Sequence, residues 1–188
     1  MKRANRVLSV ILSVLLCLSL FSPMPALAAD TVASGTCGEN LTWVLTDDGV
    51  LTISGTGAMT DYYSAPWKAN RPDITSVVIG SGVTSIGENA FYNCANLATV
   101  SLPGTLTVIG AEAFEYCKSL AGVTIPNSVT SIGNMAFQGC TALTGVTIPN
   151  RVTSIGDQAF SGCSKMASLS IADSVSSIGQ YAFAGCSS

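Results

Sequence analysis

The stretch LAGVTIPNSVTSIGNMAFQGCTA, residues 120–142, is followed at once by LTGVTIPNRVTSIGDQAFSGCSK, residues 143–165. The two segments of 23 residues differ at seven positions and match at the other sixteen. Stepping by the same period in both directions gives five units, starting at Ile74, Leu97, Leu120, Leu143 and Met166. Self-similarity at a fixed period of roughly 20–50 residues marks a solenoid, in which each unit stacks on the next.

Eight positions in each unit keep one chemical type: the first, fourth, sixth, tenth, thirteenth, seventeenth, eighteenth and twenty-first. In the second unit they are Leu97, Val100, Leu102, Leu106, Ile109, Ala113, Phe114 and Cys117. A lone unit of this length cannot bury eight apolar side chains, so neighbours must share one continuous core. The first six residues, as in LTGVTI, alternate at a period of two and stop at Pro126 or Pro149, which predicts a short strand. Stacked unit on unit, such strands form a parallel sheet spaced by about 4.8 Å. VTSIG predicts a second extended run, with the Gly after Ile turning the corner because Gly tolerates positive φ. The AF..C segment is too short for a full helix and is expected to form a helical or 3₁₀ turn.

The pattern IPNSVTSIG..AF.GC..L..V.I resembles the BspA-type leucine-rich repeat of bacterial surface proteins, over residues 74–188. The resemblance implies a curved leucine-rich-repeat solenoid and a secreted or cell-surface role in adhesion or protein recognition. It supplies no catalytic residues. Gly80 and Ala172 stand where the middle units have Pro, a departure expected of end units. The expected fold is thus a β-rich leucine-rich-repeat solenoid of short parallel strands joined by turns and short helical segments.

Residues 1–28 read as a cleaved Sec-type signal peptide. Lys2, Arg3 and Arg6 precede the apolar run Val7 to Phe21, and Ala26-Leu27-Ala28 offers small residues for cleavage. Without those three cations, five basic residues face eleven acidic ones, a formal charge of −6. An acidic chain with no basic run argues against nucleic acid and, after signal cleavage, against membrane surfaces as partners. Residues 29–73 are read as an N-terminal linker and cap. The small polar segment 29–36 is expected to be flexible. LTWVL and VLTIS flank Asp47-Asp48-Gly49, a hairpin signal, and this hairpin is expected to cap the first repeat. The aromatics of residues 55–73 either complete that cap or form an exposed contact patch. Residues 74–188 hold the five repeats, with no capping segment after the last. Two readings follow: the chain is part of a larger surface protein, or it self-associates through the open C-terminal repeat.

Chemistry-bearing groups are few. Cys94, Cys117, Cys140, Cys163 and Cys186 form a column, open to three readings: buried free thiols, disulfides (with Cys37 as a sixth member) or metal ligands. The spacing favours thiols that act as small hydrophobes. The chain contains no histidine, which removes the usual nucleophile–base pairs. Glu88, Glu112 and Asp157 share a side of the repeat and read as a solvated face or a loose cation site. Gly80-Ser81-Gly82 lacks the third Gly of a dinucleotide fingerprint. No enzyme activity, cofactor or metal is expected.

Binding remains. The outward strand positions, the second, third and fifth of each unit, include Thr99, Ser101, Thr124, Thr144, Thr147, Ser168 and Ser170. Solenoids commonly bind along such an extended face. This one is small, uncharged and without the aromatic or Arg anchors of binding hot spots. It reads as a plain sheet surface, as a weak multivalent adhesive surface, or as a hydroxyl ladder that orders water. The expected function is a non-enzymatic module at the surface of a bacterial cell, recognising an extracellular protein or glycan. The alternative is a structural spacer that displays a further domain.

Overall fold

The computed structural model describes residues 28–187; the signal-like segment lies almost wholly outside them. Alternating apolar residues first build a three-stranded cap: β1 (Thr31–Gly38), β2 (Leu41–Thr46) and β3 (Val50–Gly55), joined antiparallel. Trp43 pairs with Ile53 and Leu45 with Leu51, so the buried face of the predicted hairpin is as the alternation requires. β3 then runs parallel to β5 (Ser76–Ile79), after β4 (Gly57–Ala58) and a 3₁₀ helix at Lys68–Asp73.

From there each unit contributes up to two short strands. They are β6 (Val83–Ile86), β7 (Thr99–Ser101), β8 (Val108–Ile109), β9 (Ser131–Ile132), β10 (Gly145–Ile148), β11 (Ser154–Ile155), β12 (Ser168–Ile171) and β13 (Ser177–Ile178). One sheet has the order β1-β2-β3-β5-β7; the second runs β13-β11-β9-β8-β6-β4, all parallel. Pairing steps by the repeat: Ser76 faces Thr99, Gly145 faces Ser168, and Ser131 faces Ser154. Where strands pair, the backbone of a turn is thereby satisfied by its neighbours.

The core is a column of rings. Phe91, Phe114, Phe137, Phe160 and Phe183 stack with centroids 5.1–5.4 Å apart. Trp67 continues the column at 5.5 Å from Phe91, donates its indole N–H to Ala90 O at 2.8 Å, and meets Trp43 edge-on. β3, β4 and Trp67 therefore make a turn of the solenoid that the 23-residue count does not reveal, because loop lengths differ there. About six turns share one core, where the sequence pattern shows five. The eight repeat positions are buried through the first four units, except that Val100, Leu102 and Val123 are half-buried.

Four expectations need correction. Segment 29–36 is not flexible: it forms most of β1, with Gly35 beneath the Trp43 indole and Cys37 buried in the core. The AF..C segment is neither helix nor 3₁₀ turn. It is a chain of i→i+3 turns interrupted by two left-handed residues per unit. These are Asn89, Glu112, Met135, Gln158 and Tyr181 at the sixteenth position, and Asn93, Tyr116, Gly139, Gly162 and Gly185 at the twentieth. Alternation of hand keeps the chain from closing into a helix. The Gly after Ile is required by contact and not by positive φ. A Cβ on Gly133 would lie 2.5 Å from the Ala111 nitrogen of the turn below. Lastly, the first parallel sheet is not continuous. Residues 121–126 carry no strand, which leaves β10 and β12 as a separate pair.

Candidate binding site

Position on the strand side decides which predicted residues come together. Thr124, Thr144, Thr147, Ser168 and Ser170 line one open groove of about 650 Å³ spanning the third to fifth units. Asn127 and Asn150 add amides at its margin. Thr99 and Ser101 lie outside that lining, on β7, where Thr99 Oγ1 donates to Ser76 Oγ at 3.0 Å. The groove sits where the sheet is interrupted. Thr144 N donates to Ala121 O at 3.1 Å and Thr144 Oγ1 to the same oxygen at 3.2 Å. Beyond that junction, Val123 to Ile125 form no ladder with β10, so groove-side backbone groups remain open to a ligand.

The cysteine column is a core device. Cys37, Cys94, Cys117, Cys140 and Cys163 are buried, Cys186 is half-buried, and all six are free thiols. Cys117 Sγ donates to Phe91 O at 3.2 Å, and Cys140, Cys163 and Cys186 repeat the contact to Phe114, Phe137 and Phe160. Burial pushes the Cys94 and Cys163 thiols up to about 12, so the nucleophilic thiolate is suppressed. Among the described residues no group of three or more His, Cys, Asp or Glu is placed to hold a metal ion.

The acidic residues divide. Asp157 links successive turns: its backbone N–H donates to Asn134 Oδ1 at 2.9 Å, and its Oδ1 accepts from Gln180 N–H at 2.7 Å. Glu88 and Glu112 instead line a cavity of about 680 Å³ on the turn side, with Tyr63, Lys68, Arg71, Tyr92 and Glu115. The Arg71 guanidinium lies 5.4 Å from the Tyr92 ring centroid, a cation–π arrangement. Its Nε is buried without a hydrogen-bond partner. Glu115 is 6% exposed; burial first, and then the charge and hydrogen bond of Glu112, push its carboxyl up to about 7. Sequence reading missed Glu115 and Arg71. The nineteenth position reads Tyr92, Glu115, Gln138, Ser161, Ala184, with no shared type, and Arg71 lies ahead of the first unit counted.

Parallel strands stacked turn on turn around a ring column, with no helix longer than the 3₁₀ segment among the described residues, define a leucine-rich-repeat solenoid. The profile of the BspA type leucine rich repeat region matches residues 69–188 in six copies, and the chain belongs to that family. Several solved structures are similar to it, among them the following three. A leucine-rich repeat protein from Eubacterium ventriosum is 37% identical with a TM-score of 0.65, over 78% of this chain and 40% of that one. A leucine-rich repeat protein from Bacteroides ovatus is 26% identical with a TM-score of 0.66, over 86% and 45%. A leucine rich cell surface protein from Faecalibacterium prausnitzii is 26% identical with a TM-score of 0.50, over 84% and 53%. The chain thus spans about half or less of the length of these three. Among curated proteins none matches it. No helix of the described residues is long and apolar enough to cross a membrane.

Proposed function

We propose that the protein is an exported, non-enzymatic recognition module that works at the bacterial cell surface and binds an extracellular protein or glycan along its strand face. The observation that carries this reading is the groove across three units, in which Thr124, Thr144, Thr147, Ser168 and Ser170 converge. Its walls offer hydroxyls, two amides and unpaired backbone groups, and no charge. Such a surface suits an uncharged polar partner, with affinity summed over repeated weak contacts. The signal-like residues 1–28 support export, and the cell-surface neighbour from F. prausnitzii supports the location.

The test is binding of residues 29–188 to an array of matrix proteins and glycans. Saturable binding that is lost on Thr124→Lys with Thr147→Lys is expected. Absence of binding from a folded protein would favour the alternative, a spacer that holds another domain away from the cell.

A further inference from the structure

The turn-side cavity shares no lining residue with the strand groove, and its walls carry opposite charges. Lys68 and Arg71 come from the 3₁₀ segment ahead of the repeats; Glu112 and Glu115 come from the second unit. Opposite charges lining one cavity would ordinarily close into ion pairs, yet none of these four residues forms one. The guanidinium is held over the Tyr92 ring instead, with Nε buried and lacking an acceptor. A guanidinium without a carboxylate partner is uncompensated, as is the buried Glu115 carboxyl set against half-buried Glu112 with no cation paired to it. Arg71 and the acids all line the cavity, so one occupant that brings an acceptor to the rest of the guanidinium and a donor to the carboxylates complements both.

We propose that this cavity binds a dipolar ligand, with a carboxylate toward Lys68 and Arg71 and a guanidinium or ammonium toward Glu112 and Glu115. Its volume of about 680 Å³ suits an amino-acid derivative or a short peptide segment. Tyr63, fully exposed, and Tyr92 add aromatic surface for the ligand's aliphatic stem. The chemistry is shared by a small molecule and by an acidic–basic side-chain pair on a partner polypeptide. The charged and titratable groups that line the cavity with Glu115 are Tyr63, Glu88, Glu112, Tyr92, Lys68 and Arg71, with Tyr116 next to it in the chain. A cation seated against the Glu112–Glu115 pair displaces the proton that Glu115 holds below about pH 7. Binding therefore strengthens as pH rises from 6 to 8 and releases a proton.

The experiment is calorimetric titration of residues 29–188 at pH 6 and pH 8, in two buffers of different ionisation heat. N-acetyl-L-arginine carries both charges, its amide carries only the guanidinium, and acetyl-Asp-Gly-Arg-amide places both charges on a peptide. Saturable binding of the first or third is expected, tighter at pH 8, with a buffer-dependent heat at pH 6. The amide should bind at least tenfold more weakly, as should either ligand to Arg71→Gln or to Glu112→Gln with Glu115→Gln. Binding of the acetylated amino acid alone points to a small-molecule ligand, and of the peptide alone to a polypeptide. The Thr124 and Thr147 variants should bind unchanged, which separates this site from the strand face. No saturation by either dipolar probe at pH 8, or saturation that both sets of cavity variants leave intact, overturns the proposal.

Discussion

Glu115 shows how a single residue departs from the pattern that folds the chain. The eight repeated positions need only apolar side chains of the right size, so the nineteenth is free to vary, and here it buries a carboxyl. Its folded pKa of about 7 lies above the ordinary 4.5, so the folded protein holds this proton more tightly than the unfolded chain does. The group's contribution is most favourable below about pH 4.5 and is lost as pH rises through 7. Glu115→Gln removes that dependence. Urea denaturation should find the variant more stable than the parent at pH 8, by on the order of 1–2 kcal/mol, and equal to it near pH 4.5. Equal differences at both pH values would contradict the burial of an ionisable group there. A residue of this kind leaves no mark on the periodicity, which is why the repeat itself was legible and the cavity was not. The same holds for Arg71, whose partner Tyr92 is distant in sequence and adjacent only after the first turn closes.

At the scale of one turn, contact between successive backbones sets the sequence. The fourteenth-position Gly has no room for a Cβ: at Gly133 the nearest atoms, Ala111 N and the Gly110 carbonyl carbon, would lie at 2.5 and 2.7 Å. Gly122 on the strand side faces open space within 4 Å. The fourteenth position is Gly in all five units, whereas the third also takes Ser and Thr, as the difference in space requires. Gly133→Ala should destabilise by about 1–3 kcal/mol, since overpacking forces the backbone to move. Gly122→Ala should be within about 0.5 kcal/mol of the parent. Thermal denaturation of the pair checks this, and equal shifts would mean that turns do not approach as described. Hydroxyls reinforce the stacking: Thr107, Thr130 and Thr153 each donate to the carbonyl of the eleventh residue one turn back, at 2.9–3.3 Å. The strand before Pro149 was readable from the alternation, but the same pattern before Pro126 forms no strand. The paired left-handed residues were not readable, because Glu112, Met135 and Tyr116 give no such signal.

Over the whole molecule the 23-residue period determines one core, and the N-terminal cap extends it by means the period does not show. Trp67 replaces a Phe, 24 residues before Phe91, and so falls out of register by one residue in sequence while staying in register in space. In the fifth unit, Leu169 is 44% exposed and Ile178 52%. Every turn delivers its side chains to a single column, and the cysteines report on it directly. Native protein should be treated with a thiol reagent in the absence of reductant and again in denaturant, with the labelled sites mapped by peptide mass. Cys37, Cys94, Cys117, Cys140 and Cys163 should resist labelling until the chain unfolds, then react without prior reduction, while half-buried Cys186 reacts slowly in the native state. Rapid native labelling of Cys117 or Cys140, or a requirement for reductant before any of the five reacts, would contradict the shared core.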